Sequence, residues 1–141
     1  MKESVMLTIA SLLSILFLTL HLADDIIRGM APGTVSTIYG VLILVVWLYG
    51  TLVLAERRSG YVIIFLGSLV GSGIPVIHMM GKGLGVGGNI PKSNGAFFFI
   101  WTILALGVTA FFSVILSARG FWALQWGKPR RTTEVIGADS L

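Results

Sequence analysis

Apolar residues in this chain gather into four long runs, separated by short polar or glycine-rich breaks. The runs are Val5 to Ala23, reaching on toward Arg28, then Thr34 to Leu54, Tyr61 to Met80 and Ala96 to Leu116, and none carries a charge in its interior. Crossing a bilayer takes about 20 apolar residues in a helix, so the pattern predicts four transmembrane helices. The breaks at Gly29 to Gly33, Glu56 to Gly60 and Gly81 to Gly95 carry the glycines and Pro32 expected of turns. The expected fold is an all-α transmembrane four-helix bundle, up-down-up-down, over residues 1–116, with spans about 5–27, 34–54, 61–80 and 96–116. Residues 117–141 are expected to form an interfacial aromatic segment around Phe121, Trp122 and Trp126, followed by a disordered basic tail. The first run reads as a retained span: a signal-peptide cut before Asp24 would put His21 where a small residue is wanted.

Within the runs, small and polar residues recur at helical spacing. Lipid is already apolar, so membrane helices associate through small residues and interhelical hydrogen bonds, and these stripes mark the inward faces. The first run carries Ser4, Ser11, Ser14, His21, Asp25 and Arg28 on one stripe, with Leu7 and Leu18 between them. The second carries Ser36, Gly40, Trp47 and Gly50, and the third Ser68, Gly71, Pro75, His78 and Lys82. The fourth carries Thr102, Ala105, Thr109 and Ser113. Gly67 and Gly71 make a GxxxG step, suited to packing helices within the chain or between copies. Pro75 removes a backbone donor one turn before His78 and predicts a kink there.

Composition supports the membrane reading. In 141 residues, charged side chains make up 11% and hydrophobic ones 55%, against about 25% charged in a soluble domain. The absence of cysteine excludes disulfides and thiolate metal sites. The net charge of +4 does not imply nucleic acid, because the basic residues flank spans, where lipid headgroups explain them. Lys2, Arg57, Arg58, Arg119, Lys128, Arg130 and Arg131 fall on one side, and Arg28, Lys82 and Lys92 on the other. This asymmetry predicts both termini in the cytoplasm. The pattern looks like that of small bacterial inner-membrane proteins, a resemblance that assigns no role to any residue.

The candidate chemistry sits at the outer end of the first span, in His21, Asp24, Asp25 and Arg28. If the helix runs to Arg28 with Gly29 as its cap, these residues share a face at spacings of three and four. His78 lies at the same outer end of the third span. One reading leaves the group as interfacial charges satisfied by water. A second makes a divalent metal site from His21, Asp24 or Asp25, and His78, since imidazole and carboxylate suit zinc. Copper is a variant, with Met30, Met79 and Met80 on the same side. A third holds a b-type haem between His21 and His78, because diagonal helices of a bundle stand roughly 13 Å apart when neighbours are 8–10 Å apart. The formal GxGxxG at Gly83 to Gly88 lacks the strand–turn–helix setting of a dinucleotide site. The leading expectation is a non-enzymatic accessory subunit or oligomeric membrane component that needs no cofactor. Its partners would be the bilayer and either a second copy or a larger membrane complex. The alternative is a metal- or haem-binding or transport protein at the outer face.

Overall fold

Four helices account for the computed structural model, which describes residues 3–29, 33–80 and 95–126. They are α1 (Glu3–Ile27), α2 (Thr34–Leu52), α3 (Arg58–Met80) and α4 (Ala96–Trp126). All four are long and apolar enough to cross a membrane. The expected basic tail, the glycine-rich segment at 81–94 and Met30 to Pro32 lie outside the described residues, as do the side chains of Met79 and Met80.

Local chemistry sets the boundaries. α1 ends where Gly29 takes a left-handed φ of +67°, the usual helix-terminating role of glycine. α2 gives way at Val53, and Glu56, at φ 64°, turns the chain into α3. α4 does not stop near Leu116. It runs for 31 residues to Trp126, because Ser113 to Gly120 offers no breaker and Ser117 Oγ bonds the Ser113 carbonyl of its own helix. At about 1.5 Å per residue it is about 46 Å long, longer than a hydrocarbon core of about 30 Å. The aromatic segment is therefore the last two turns of α4, with Trp122 and Trp126 stacked at 5.8 Å.

α4 lies between α1 and α3 and packs closely on both; α2 covers the opposite side, and α1 and α3 meet only across the short diagonal. The interior mixes hydroxylated and apolar side chains. Ser11, Ser14, Ser68, Thr102, Ser113 and Ser117 are buried beside Leu7, Ile15, Leu18, Trp47, Leu106 and Ala110, while large apolar side chains such as Val35, Ile38, Val108 and Phe111 point outward. Buried hydroxyls in α1 and α4 mostly donate to the preceding turn of their own helix. One group crosses between helices. Thr51 Oγ1 spends its proton on the Trp47 carbonyl (2.9 Å), so the 2.7 Å contact with Ser11 is a bond donated by Ser11 Oγ. Trp47 Nε1 donates to Ser11 Oγ at 2.9 Å, closing a network that ties α2 to α1.

The predicted stripes hold best on α1, where Leu7, Ser11, Ser14, Leu18 and His21 are buried. On α3, Gly67 and Gly71 both face Trp47 of α2, and a Cβ at Gly67 would stand 2.5 Å from Trp47 Cδ2. The GxxxG step thus packs inside the chain. Pro75 lies within an unbroken helix and sets its ring against Gly107 of α4. α4 departs from expectation: its core face is Phe99, Ile103, Leu106 and Ala110 as well as Thr102 and Ser113, with Ala105 and Thr109 only half-buried. A helix wedged between two others buries a wide face, and small or polar residues mark only part of it.

α2 departs further. Only Trp47, Gly50 and Thr51 are buried in it, and most of its first half is exposed. Ser36 and Gly40 line a cavity of about 410 Å³ together with Leu18, His21, Asp25, Ile74 and His78, with Leu22 of α1 facing Gly40.

Candidate metal centre

The cavity ends on the residues that the sequence singles out. His21 comes from the inward stripe of α1 and is 4% exposed, so it is not an interfacial side chain bathed in water. His78 comes from the last turn of α3. Their Nε2 atoms are 3.1 Å apart and their rings stand nearly perpendicular, at 88°. Asp25, one turn beyond His21, brings Oδ2 to 3.5 Å from the same His21 nitrogen. One ligand atom from each of the three lies within 4.8 Å of the others.

These separations carry chemical meaning. A tetrahedral zinc ion about 2.0–2.1 Å from its nitrogen and oxygen ligands holds neighbouring ligand atoms about 3.3 Å apart. The two separations at His21 Nε2, 3.1 and 3.5 Å, lie on either side of that value, and the group as a whole lies within 4.8 Å, so the side chains would draw together on binding an ion. One imidazole N–H can bridge the two rings; a cation would engage all three ligand atoms together. Asp25 Oδ1 and His21 Nδ1 are buried without a hydrogen-bond partner among the described residues. The imidazole of His21 is therefore held by ring packing rather than by an outer hydrogen bond.

Phe99, in the first turn of α4, supplies that packing. It is fully buried, with its ring centroid 5.5 Å from both His21 and His78. Sequence reasoning missed it because it reads inward faces from small and polar residues. The available signal was topological: the start of the fourth span lies at the same end as His21 and His78. Gly95 belongs to the same cap, where Arg28 Nη2 donates to its carbonyl at 3.2 Å and the guanidinium lies 5.9 Å from the Phe99 ring centre.

The two aspartates separate. Asp24 Oδ2 accepts from Arg28 Nε at 2.6 Å. Arg28 thereby offsets a carboxylate at a helix C-terminus, where the helix dipole disfavours negative charge. Asp24 is outside the converging group, and Asp25 is the carboxylate beside the histidines. The haem arrangement does not fit: imidazoles in direct contact leave no slot for a macrocycle between them, and Phe99 fills the flank. For the copper variant, Met30 and the side chains of Met79 and Met80 lie outside the described residues.

No protein-family model, curated protein or solved structure matches the chain.

Proposed function

We propose that this chain is a four-span integral membrane protein that binds a divalent transition ion, zinc by ligand type, through His21, Asp25 and His78. The observation that carries the reading is the grouping of three ligand atoms from two helices within 4.8 Å of one another, two of the separations being close to those of a tetrahedral ion. Neutral imidazole and carboxylate are borderline-hard donors suited to zinc, and the set contains no sulfur. Three protein ligands leave a fourth position open, the pattern of sites that exchange a ligand rather than of closed structural ones.

The membrane reading is supported by four helices long and apolar enough to cross a bilayer and by the many large apolar side chains on the outer surface, with serines and threonines among the buried residues, which suits lipid as solvent. The arginine and lysine asymmetry puts both termini in the cytoplasm and the metal centre at the opposite face of a bacterial inner membrane. The protein acts there as a binding component rather than a catalyst. The weakly buried α2 is the face on which a second copy or a larger membrane complex would pack.

The test is metal analysis of full-length protein purified in mild detergent and loaded with zinc. Wild type is expected to hold one equivalent, and His21→Ala, His78→Ala and Asp25→Asn to lose it while remaining monodisperse. Wild type without bound zinc, or variants that keep it, would overturn the assignment.

A further inference from the structure

The cavity beside the three ligands has a shape and a polarity that select among occupants. It is lined by His21, Asp25 and His78 at one end, and by Leu18, Ile43, Val70 and Ile74 beyond them. From His78 to Val70 it reaches eight residues along α3, or about 12 Å, close to the half-thickness of a hydrocarbon core of about 30 Å. Val70 and Ile77 on its rim are exposed, so it opens sideways. Its volume of about 410 Å³ is near the lower end of small-molecule sites, about 300–1,000 Å³, and suits one chain rather than two.

Charge fixes the head of that chain. Asp24 is neutralised by Arg28, leaving Asp25 as the carboxylate of the metal set. A divalent ion with one carboxylate and two neutral imidazoles carries a net charge of +1, which is costly at an apolar boundary. Phe99 packs against the histidines but does not line the cavity. His21, Asp25 and His78 all line the cavity, so an ion held by them would border it, and one further anionic oxygen ligand could reach the ion from there and neutralise it.

Resting on the metal reading above, we infer that the cavity binds a single-chain fatty carboxylate, its carboxyl oxygen on the ion and its acyl chain running between α1, α2 and α3 toward the middle of the bilayer. Such a molecule would lie as lipid does in a leaflet, head outward and tail inward. The surrounding lipid is as apolar as the cavity wall, so transferring the chain gains little. The carboxylate–metal contact supplies the selectivity, and without the ion Asp25 repels the ligand.

Cobalt(II) is the probe, added to full-length protein in phosphatidylcholine nanodiscs, with visible absorption reporting its coordination. Dodecanoate is expected to shift the cobalt bands and dodecanol to leave them unchanged. Ile43→Trp and Val70→Trp, which enlarge the cavity wall inward of the ligands, are expected to keep the cobalt bands and raise the half-saturating dodecanoate concentration at least tenfold. Radiolabelled dodecanoate retained above empty nanodiscs is expected to fall to background when the metal is chelated. Cobalt bands that ignore dodecanoate, or shift equally in the cavity-filling variants, overturn the carboxylate proposal and leave the metal site standing. Retention that survives chelation overturns it as well. Wild-type protein that takes up no cobalt overturns the metal reading and this proposal together.

Discussion

His21 and His78, 57 residues apart in sequence, share a 3.1 Å contact between their Nε2 atoms. α1 and α3 are diagonal partners in the bundle, yet at this end their side chains meet. Phe99 of α4 backs both rings, and the cavity beside the less buried half of α2 borders them. Two helices, one aromatic wedge and one gap thus make a three-ligand corner beside an apolar cavity.

Adjacent carboxylates in α1 do different work. Asp25→Asn is expected to weaken zinc binding at least about tenfold, since an amide oxygen is neutral and a poorer ligand. Asp24→Asn is expected to leave zinc stoichiometry unchanged, because its partner is Arg28. Competition titration with a chromophoric chelator measures both, and equal losses in the two variants would contradict the division.

Phe99→Ala removes a fully buried ring. The expected loss of stability is about 3 kcal/mol, the lower end for buried phenylalanine deletions, accompanied by weaker zinc binding as the histidines lose their backing. Phe97, 82% exposed, is the control, and its alanine variant is expected to change neither. Reversible unfolding in mixed detergent micelles gives the stabilities.

Gly67 and Gly73 are two helical glycines of α3 with opposite surroundings. A Cβ at Gly67 meets the Trp47 ring at 2.5 Å, whereas one at Gly73 meets nothing within 4 Å. Gly67→Ala is expected to cost about 1–3 kcal/mol through overpacking. Gly73→Ala is expected to be neutral or to stabilise by up to about 1 kcal/mol through helix propensity. The same unfolding assay separates them by sign.

The Ser11–Trp47 bond offers a direct measure of an interhelical hydrogen bond in this bundle. A double-mutant cycle of Ser11→Ala and Trp47→Phe is expected to give a coupling of about 0.6 kcal/mol and no more than about 1.7, the range found for such bonds in membrane proteins. A coupling near zero would mean that shape alone joins α1 to α2.

Glu56 occupies the left-handed region at φ 64° and is exposed. Glu56→Gly is expected to stabilise the α2–α3 connection by about 1 kcal/mol, since glycine takes this conformation without the Cβ clash that costs about 1–2 kcal/mol in other residues. Glu56→Val, β-branched and unable to relieve the clash, is expected to destabilise. Thermal unfolding of the pair tests the sign.

Four helices could be read from the sequence because their cause is local: a long apolar run free of charge can place its backbone in lipid only as a helix, and glycine and proline mark where it stops. The inward stripe of α1 was legible for the same kind of reason, as helical spacing puts Ser11, Ser14, Leu18 and His21 on one face. So was the gathering of His21, Asp25 and His78 at one end of the bundle, with Asp24 and Arg28 beside them. Sequence alone left other things open. Whether Asp24 or Asp25 joins the histidines depends on which carboxylate Arg28 takes, and that follows from side-chain reach. Whether the imidazoles touch or stand a macrocycle apart depends on the α1–α3 separation. The separation reflects Phe99 wedged from α4 and Gly67 admitting Trp47 of α2. The cavity lies beside the less buried half of α2, which is anchored at its other end by Trp47, Gly50 and Thr51. Periodicity assigns a residue to a face of its own helix, but only the packing of all four helices fixes how near two faces come.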